Sequence, residues 1–230
     1  RTLIAINAMG FVLRDLGNYE EAVVLYRKLV DLSIHVFGHE HSNTLTYLNN
    51  LGFLLRKKHN FNEAEKIFRQ LLIIKERIFG LEDSTTILAL NNLSELLKDK
   101  GDYDEAKLIA FKVLKIRQRN LGHNHPKTIN SLNNLGILFR IIGDYDEAES
   151  FYRKALELRG KKLGPEHPDT LISLNNLGLL LKMKGNLEEA EIISRKALAL
   201  REQILGTEHP NTLTSMTNLC SLLKAKGNFK

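Results

Sequence analysis

Apolar residues along this chain return at helical spacing, and the pattern they make repeats. In the clearest stretch Leu171, Leu174, Leu177, Gly178 and Leu181 recur every three or four residues and so line one stripe of a helix. Thr170 opens that stretch, and Thr recurs at Thr2, Thr44, Thr86, Thr128, Thr170 and Thr212, always 42 residues apart. Leu or Ile follows each of them, and Asn stands six residues on at Asn50, Asn92, Asn134, Asn176 and Asn218, with Ala8 the exception. A register that never slips marks each repeat as one rigid module.

Two helices fit inside each repeat. The first is predicted from near Pro168, since proline is tolerated at a first helical position, to just before Gly185, which suits the left-handed residue after a helix. The second opens on Asn or Asp followed three residues later by Glu, the spacing of a capping box. The pairs are Asn18 with Glu21, Asn60 with Glu63, Asp102 with Glu105, Asp144 with Glu147 and Asn186 with Glu189. That helix is predicted to run to Gly38, Gly80, Gly122, Gly164 or Gly206. Ala22, Ala64, Ala106, Ala148 and Ala190 lie one turn inside it, where a larger side chain would hold helices apart. No stretch alternates as a half-buried strand does, so the expected fold class is all-α, built of 42-residue helix-turn-helix repeats.

The expected boundaries are about 1–41, 42–83, 84–125, 126–167 and 168–209, with a partial repeat at 210–230, all in one array over 1–230. The third repeat departs most, with Leu81-Glu82-Asp83-Ser84 in place of the His-Pro connector and Ser94 in place of a glycine. Arg1 falls within a first helix and Lys230 where a further second helix would start. No polar capping face follows Cys220-Ser221-Leu222-Leu223, so the chain is expected to be a piece of a longer protein.

The 42-residue spacing, connectors such as Leu163-Gly164-Pro165-Glu166-His167-Pro168 and the Leu-Asn-Asn-Leu core of Leu174 to Leu177 resemble the tetratricopeptide repeat (TPR) in its kinesin light chain form, over essentially the whole chain. The resemblance implies a right-handed α-α superhelix, a TPR solenoid, whose concave face binds other proteins. Similar arrays also serve as sensor or partner-recognition regions of larger STAND-type NTPase signalling proteins, and a fold alone does not choose between such roles.

Composition narrows the function. With 43% apolar and 26% charged residues the chain is expected to fold in water, and no run approaches the eighteen apolar residues of a membrane span. Arg1-Thr2-Leu3-Ile4 lacks the order of a leader, and Cys220, the one cysteine, has no partner for an internal disulfide, so a cytoplasmic protein is expected. A net charge of +6 favours acidic partners but is not the concentrated basic stripe of a nucleic-acid binder, and Trp is absent. His39 with His41 and His123 with His125 have the wrong spacing for a helix-face metal pair, and His41, His125, His167 and His209 recur in connectors as structural elements. With no phosphate loop, nucleophile elbow or His-Glu-x-x-His motif, neither catalysis nor a cofactor is expected. Glu20 with Glu21 and Glu188 with Glu189 sit at second-helix starts, where acids oppose the positive end of the dipole.

The candidate site lies on the first helices. Thr46, Asn49, Asn50, Phe53, Arg56 and Lys57 follow helical spacing on a face apart from Leu48, Leu51, Gly52 and Leu55, and in TPR arrays the equivalent positions look into the groove. Asn inside a helix costs about 0.5 kcal/mol relative to Ala, yet it fills Asn49, Asn50, Asn91, Asn92, Asn133, Asn134, Asn175 and Asn176. Two readings account for this: one Asn of each pair bonds the backbone of an extended peptide, or the amides link neighbouring repeats. The kinesin light chain resemblance implies the second Asn as the peptide contact. Arg14, Arg56, Lys98, Arg140, Lys182 and Lys224 share the next position, and the one after it reads Asp15, Lys57, Asp99, Ile141, Met183 and Ala225. A further basic set, Lys75, Arg117, Arg159 and Arg201, lies late in the second helices, where the resemblance implies support for acidic cargo peptides. Against it, the early first-helix position that can be basic in kinesin light chains reads Ile4, Thr46, Leu88, Asn130, Ile172 and Thr214, and no heptad stretch precedes the array, so motor function does not carry over. The expectation is a non-catalytic scaffold that holds an extended acidic peptide, with specificity from the variable Phe11, Phe53, Glu95, Ile137, Leu179 and Ser221.

Overall fold

A computed structural model describes residues 2–227, which form eleven α-helices and no strand. Arg1, the side chain of Thr2 and residues 228–230 lie outside the described residues, and with them the helix start expected at Lys230. The first helices are α1 (Thr2–Asp15), α3 (Ser42–Lys57), α5 (Ser84–Lys100), α7 (Pro126–Ile142), α9 (Pro168–Lys184) and α11 (Pro210–Ala225). The second helices are α2 (Tyr19–Phe37), α4 (Phe61–Phe79), α6 (Tyr103–Leu121), α8 (Tyr145–Leu163) and α10 (Leu187–Leu205). Among the described residues no helix is long and apolar enough to cross a membrane. The chain divides into two compact units, Arg1–Val113 and Leu114–Lys230.

In the N-terminal unit α1 packs on α2, α2 on α3, α3 on α4 and α4 on α5. Its core is built from the predicted Leu51 and Leu55, from Leu93 and Leu97 at the same positions of the next repeat, and from Leu54 and Leu96, which the stripe did not include, with Ala22 and Ala64 fully buried between helices. In the C-terminal unit α7 packs on α8, α8 on α9, α9 on α10 and α10 on α11, around Leu135, Leu138, Leu177, Leu180 and Leu181, with Ala148 and Ala190 fully buried. Gly52 shows why a small residue follows Leu51: a Cβ there would come within 2.8 Å of the Phe68 ring, and Gly136 meets Tyr152 at 2.6 Å in the same way. The third repeat tolerates Ser94 because position 110 is Ala where positions 26, 68 and 152 carry rings, and the Ser94 hydroxyl donates to the Ala106 carbonyl at 3.0 Å.

The connectors explain the recurrent Thr and His. Thr44, Thr128 and Thr170 each donate a hydroxyl hydrogen bond to the carbonyl of the connector glycine, Gly38, Gly122 or Gly164, at 2.8–2.9 Å. His41, His125, His167 and His209 are helix N-caps, each accepting at Nδ1 from the backbone N–H two residues on at 3.1–3.2 Å. Asp83 does the same for Thr85 at 2.8 Å, so the deviant third connector keeps the cap with a carboxylate in place of an imidazole.

The capping boxes form only in part. Asn18 and Asp144 accept from the N–H of Glu21 and Glu147 at 3.4 Å, whereas Asn60 and Asn186 bond the carboxylates of Glu63 and Glu189 instead. The reciprocal half of the box has no N–H left to use. The Asp144 N–H donates to Phe139 O, five residues back, and Asn18, Asn60, Asp102 and Asn186 do the same to Leu13, Leu55, Leu97 and Leu181, closing the preceding helix as a Schellman cap.

Candidate functional site

The asparagines form inter-repeat links within each unit. Asn92 Nδ2 donates to Asn49 Oδ1 at 2.7 Å in the N-terminal unit; in the C-terminal unit Asn176 donates to Asn133 at 3.1 Å and Asn218 to Asn175 at 2.9 Å. The second Asn of a repeat therefore ties to the first Asn of the repeat before it. Asn50 Nδ2 instead reaches the Tyr26 hydroxyl at 3.4 Å, which itself donates to Asn7 at 3.1 Å. Asn91 and Asn134 are half-buried and make no side-chain hydrogen bond among the described residues. The linking amides are not exhausted: the carbonyl oxygens of Asn92, Asn176 and Asn218 accept nothing among the described residues.

The late second-helix cations are committed inside the protein. Arg159, only 5% exposed, donates to Ser173 Oγ at 2.7 Å, the Asp169 carbonyl at 2.9 Å and Asn130 Oδ1 at 2.7 Å. Arg117 reaches Ser131 Oγ and the Lys127 carbonyl at 2.7 and 3.1 Å, and Arg201 reaches Ser215 Oγ and the Asn211 carbonyl at 2.6 and 2.8 Å. Lys75 has one such bond, to the Thr85 carbonyl at 3.3 Å. Burial lowers the pKa of all four from the ordinary values, as expected of cations whose partners are neutral. The serines were legible in the sequence as Ser131, Ser173 and Ser215, each fourteen residues after an arginine, while Ala89 stands fourteen after Lys75.

The first-helix basic row differs between the units. In the N-terminal unit Arg56 pairs with Asp99 at 2.7 Å and lies 3.8 Å from Glu95, while Lys98 pairs with Glu95 at 2.5 Å. Those acids neutralise the row from within. In the C-terminal unit Lys182 donates to Ser221 Oγ at 2.6 Å, Arg140 hydrogen-bonds the buried Tyr152 hydroxyl, and Arg140, Lys182 and Lys224 make no ion pair among the described residues. Apolar Ile137, Ile141, Leu179 and Met183 hold the positions that carry Glu95 and Asp99 in α5. Burial raises the pKa of Tyr152, opposed by the Arg140 bond, so the phenol stays neutral.

The N-terminal unit also holds an open cavity of about 250 Å³, lined among others by Tyr26, Asn50, Phe53, Leu88 and Asn92. Its mixed amide and ring lining suits a side chain presented from outside. Chemically, then, the first-helix faces offer amide oxygens, unpaired cations and apolar patches.

Comparison with known proteins agrees with this architecture. The tetratricopeptide repeat pattern matches residues 1–77, 45–110, 85–161, 143–203 and 169–230. No curated protein matches the sequence. Among solved structures, a kinesin light chain-like protein of Podosopora anserina with nearly identical TPR-like repeats is 20% identical, has a TM-score of 0.76 and aligns over 89% of this chain and 97% of its own. BtubC (BKLC) of P. vanneervenii is 24% identical with a TM-score of 0.72, over 94% of this chain and 84% of its own. A Signal Transduction ATPase with Numerous Domains from Pyrococcus horikoshii, which has a tetratricopeptide repeat sensor, is 20% identical with a TM-score of 0.75, over 97% of this chain but 33% of its own. At these identities the structures speak to the fold, and the repeat pattern speaks to descent. With that pattern matched along its whole length, the chain belongs to the tetratricopeptide-repeat family, whose repeats mediate protein–protein interaction.

Proposed function

We propose that this chain is a non-catalytic cytoplasmic scaffold, and that the first-helix face of its C-terminal unit holds an extended acidic segment of a partner protein. One observation carries the reading: Arg140, Lys182 and Lys224 are cations without carboxylate partners among the described residues, whereas the equivalent Arg56 and Lys98 are already paired. An acidic ligand gains most where the protein supplies no competing carboxylate. The Asn176 and Asn218 carbonyl oxygens can accept backbone N–H groups of the ligand, and Ile137, Ile141, Leu179 and Met183 give apolar contacts between the charges. Arg117 and Arg159 support this face from beneath through their bonds to α7 and α9.

The test is Arg140→Glu with Lys182→Glu against an acidic peptide selected by array at physiological salt. We expect binding to weaken at least tenfold, about 1.4 kcal/mol, with little change in melting. Arg56→Glu is the contrast: it sets a third acid beside Glu95 and Asp99, so it should lower stability and leave that peptide bound. Unchanged affinity in the double reversal would sink the proposal. A second reading, partner sensing within a larger NTPase, draws on the Pyrococcus horikoshii structure; a nucleotide-binding domain encoded with this chain, whose nucleotide affinity shifts when the peptide binds, would favour it.

A further inference from the structure

Gly160 is a helix residue for which the fold has no use. It lies within α8 at a position filled by Ile34, Glu76, Gln118 and Glu202 in the other second helices. Glycine weakens a helix relative to other residues because its backbone loses more freedom on folding. Gly52 and Gly136 repay that by admitting an aromatic ring, but a Cβ on Gly160 would meet nothing within 4 Å. Neither close packing nor a left-handed backbone asks for it.

Gly160 lines a depression of about 270 Å³ beside α8, together with Pro165 and with Leu156 and the buried Leu174, which make its apolar floor. Leu174 belongs to a buried cluster with Leu171 and Ala197, and Leu156 packs against it, so the floor is fixed rather than loose. Thr170 also lines it, with its hydroxyl already donated to Gly164 O. The rim carries Lys161, Lys196 and Glu157; Lys161 is paired with Glu157 at 2.5 Å, and Lys196 is exposed with no partner among the described residues. An apolar floor beside one unpaired cation is complementary to a group that is apolar at one end and anionic at the other.

We infer that this depression is a second protein-docking site, which takes one branched apolar side chain of a partner and pairs a neighbouring carboxylate of that partner with Lys196. It shares no residue with the first-helix face and does not depend on the reading given for that face. The apolar group lies against Leu156 and Leu174, next to Gly160, where a longer side chain would compete for the same space.

The probe is isocaproate, which joins a leucine-like isobutyl group to a carboxylate, titrated into the full chain with methyl-labelled leucines. The Leu156 and Leu174 methyl signals should shift saturably. Gly160→Gln copies α6 at this position; it should raise the melting temperature by restoring helix propensity and weaken isocaproate at least tenfold. Lys196→Gln should weaken isocaproate several-fold and leave the neutral isocaproamide as it was. No saturable shift in the natural chain, or unchanged affinity in Gly160→Gln, overturns the site. A fall in melting temperature on Gly160→Gln would overturn the argument that the glycine is not needed for packing, and equal binding of isocaproate and isocaproamide would overturn the role given to Lys196.

Discussion

Thr86 and Thr128 occupy the same place in successive repeats and differ in what their hydroxyls do. Thr128 Oγ1 donates to Gly122 O at 2.9 Å, whereas Thr86 Oγ1 is buried without a partner. A buried polar atom left unbonded has lost water and gained nothing, and a bonded one leaves its acceptor stranded when removed. Thr128→Val should therefore cost about 1–3 kcal/mol, and Thr86→Val, of the same shape, should be neutral or stabilise by up to about 1 kcal/mol. Urea unfolding of the two variants checks the pair; equal losses would mean that the recurrent Thr acts by shape and not by its bond. The recurrence at 42 residues is plain in the sequence. The failed bond in one copy is not, because it depends on where the carbonyl of an atypical connector points.

Between helices, buried arginines tie neighbours through several hydrogen bonds at once. Arg159 on α8 bonds Asn130 on α7 and both Ser173 and the Asp169 carbonyl on α9, so one side chain pins three helices of the C-terminal unit. Arg159→Met keeps the length and apolar stem but strands three acceptors, and a loss of about 2–4 kcal/mol is expected. Lys75→Met removes one bond of 3.3 Å and should cost about 1 kcal/mol or less. Chemical denaturation reads both, and equal costs would refute the three-helix account. Spacing along the sequence places these cations at one recurrent position late in the second helices. It cannot tell whether a guanidinium ends among neighbouring helices or in solvent, since that turns on serines fourteen residues away.

Across the whole molecule, second-helix carboxylates recur as partners of lysines from the following repeat. Glu65, Glu149 and Glu191 are held below the usual carboxylate range, first by hydrogen bonds from Lys100, Lys184 and Lys226 and then by Arg69, Arg153 and Arg195. A pKa lowered by folding means that the ionised form belongs to the folded state. The stabilisation is complete above the unfolded value, about pH 4.3, and fades as pH falls through the lower folded value. Melting temperature should therefore be flat from neutrality to about pH 5 and fall below about pH 4.5, less steeply in Glu65→Gln/Glu149→Gln/Glu191→Gln. A triple variant with the natural acid profile would remove these contacts from the account. Since the pairs are partly exposed, added salt should blunt the same transition.

The sequence by itself determined the helices, their 42-residue period, the family and the packing residues, because glycine, proline and apolar spacing act through local backbone geometry that each repeat restates. Helical spacing alone puts Ala148 and Leu177 on packing faces, and both are buried. Only the tertiary structure decided which charges are spent and which are left over. Arg56 and Arg140 are the same residue at the same position of two repeats, yet one meets Asp99 and Glu95 and the other Tyr152. The reason is physical: the partner of a long side chain on a repeat surface is set by residues from other helices that come within a few ångströms only once the helices pack.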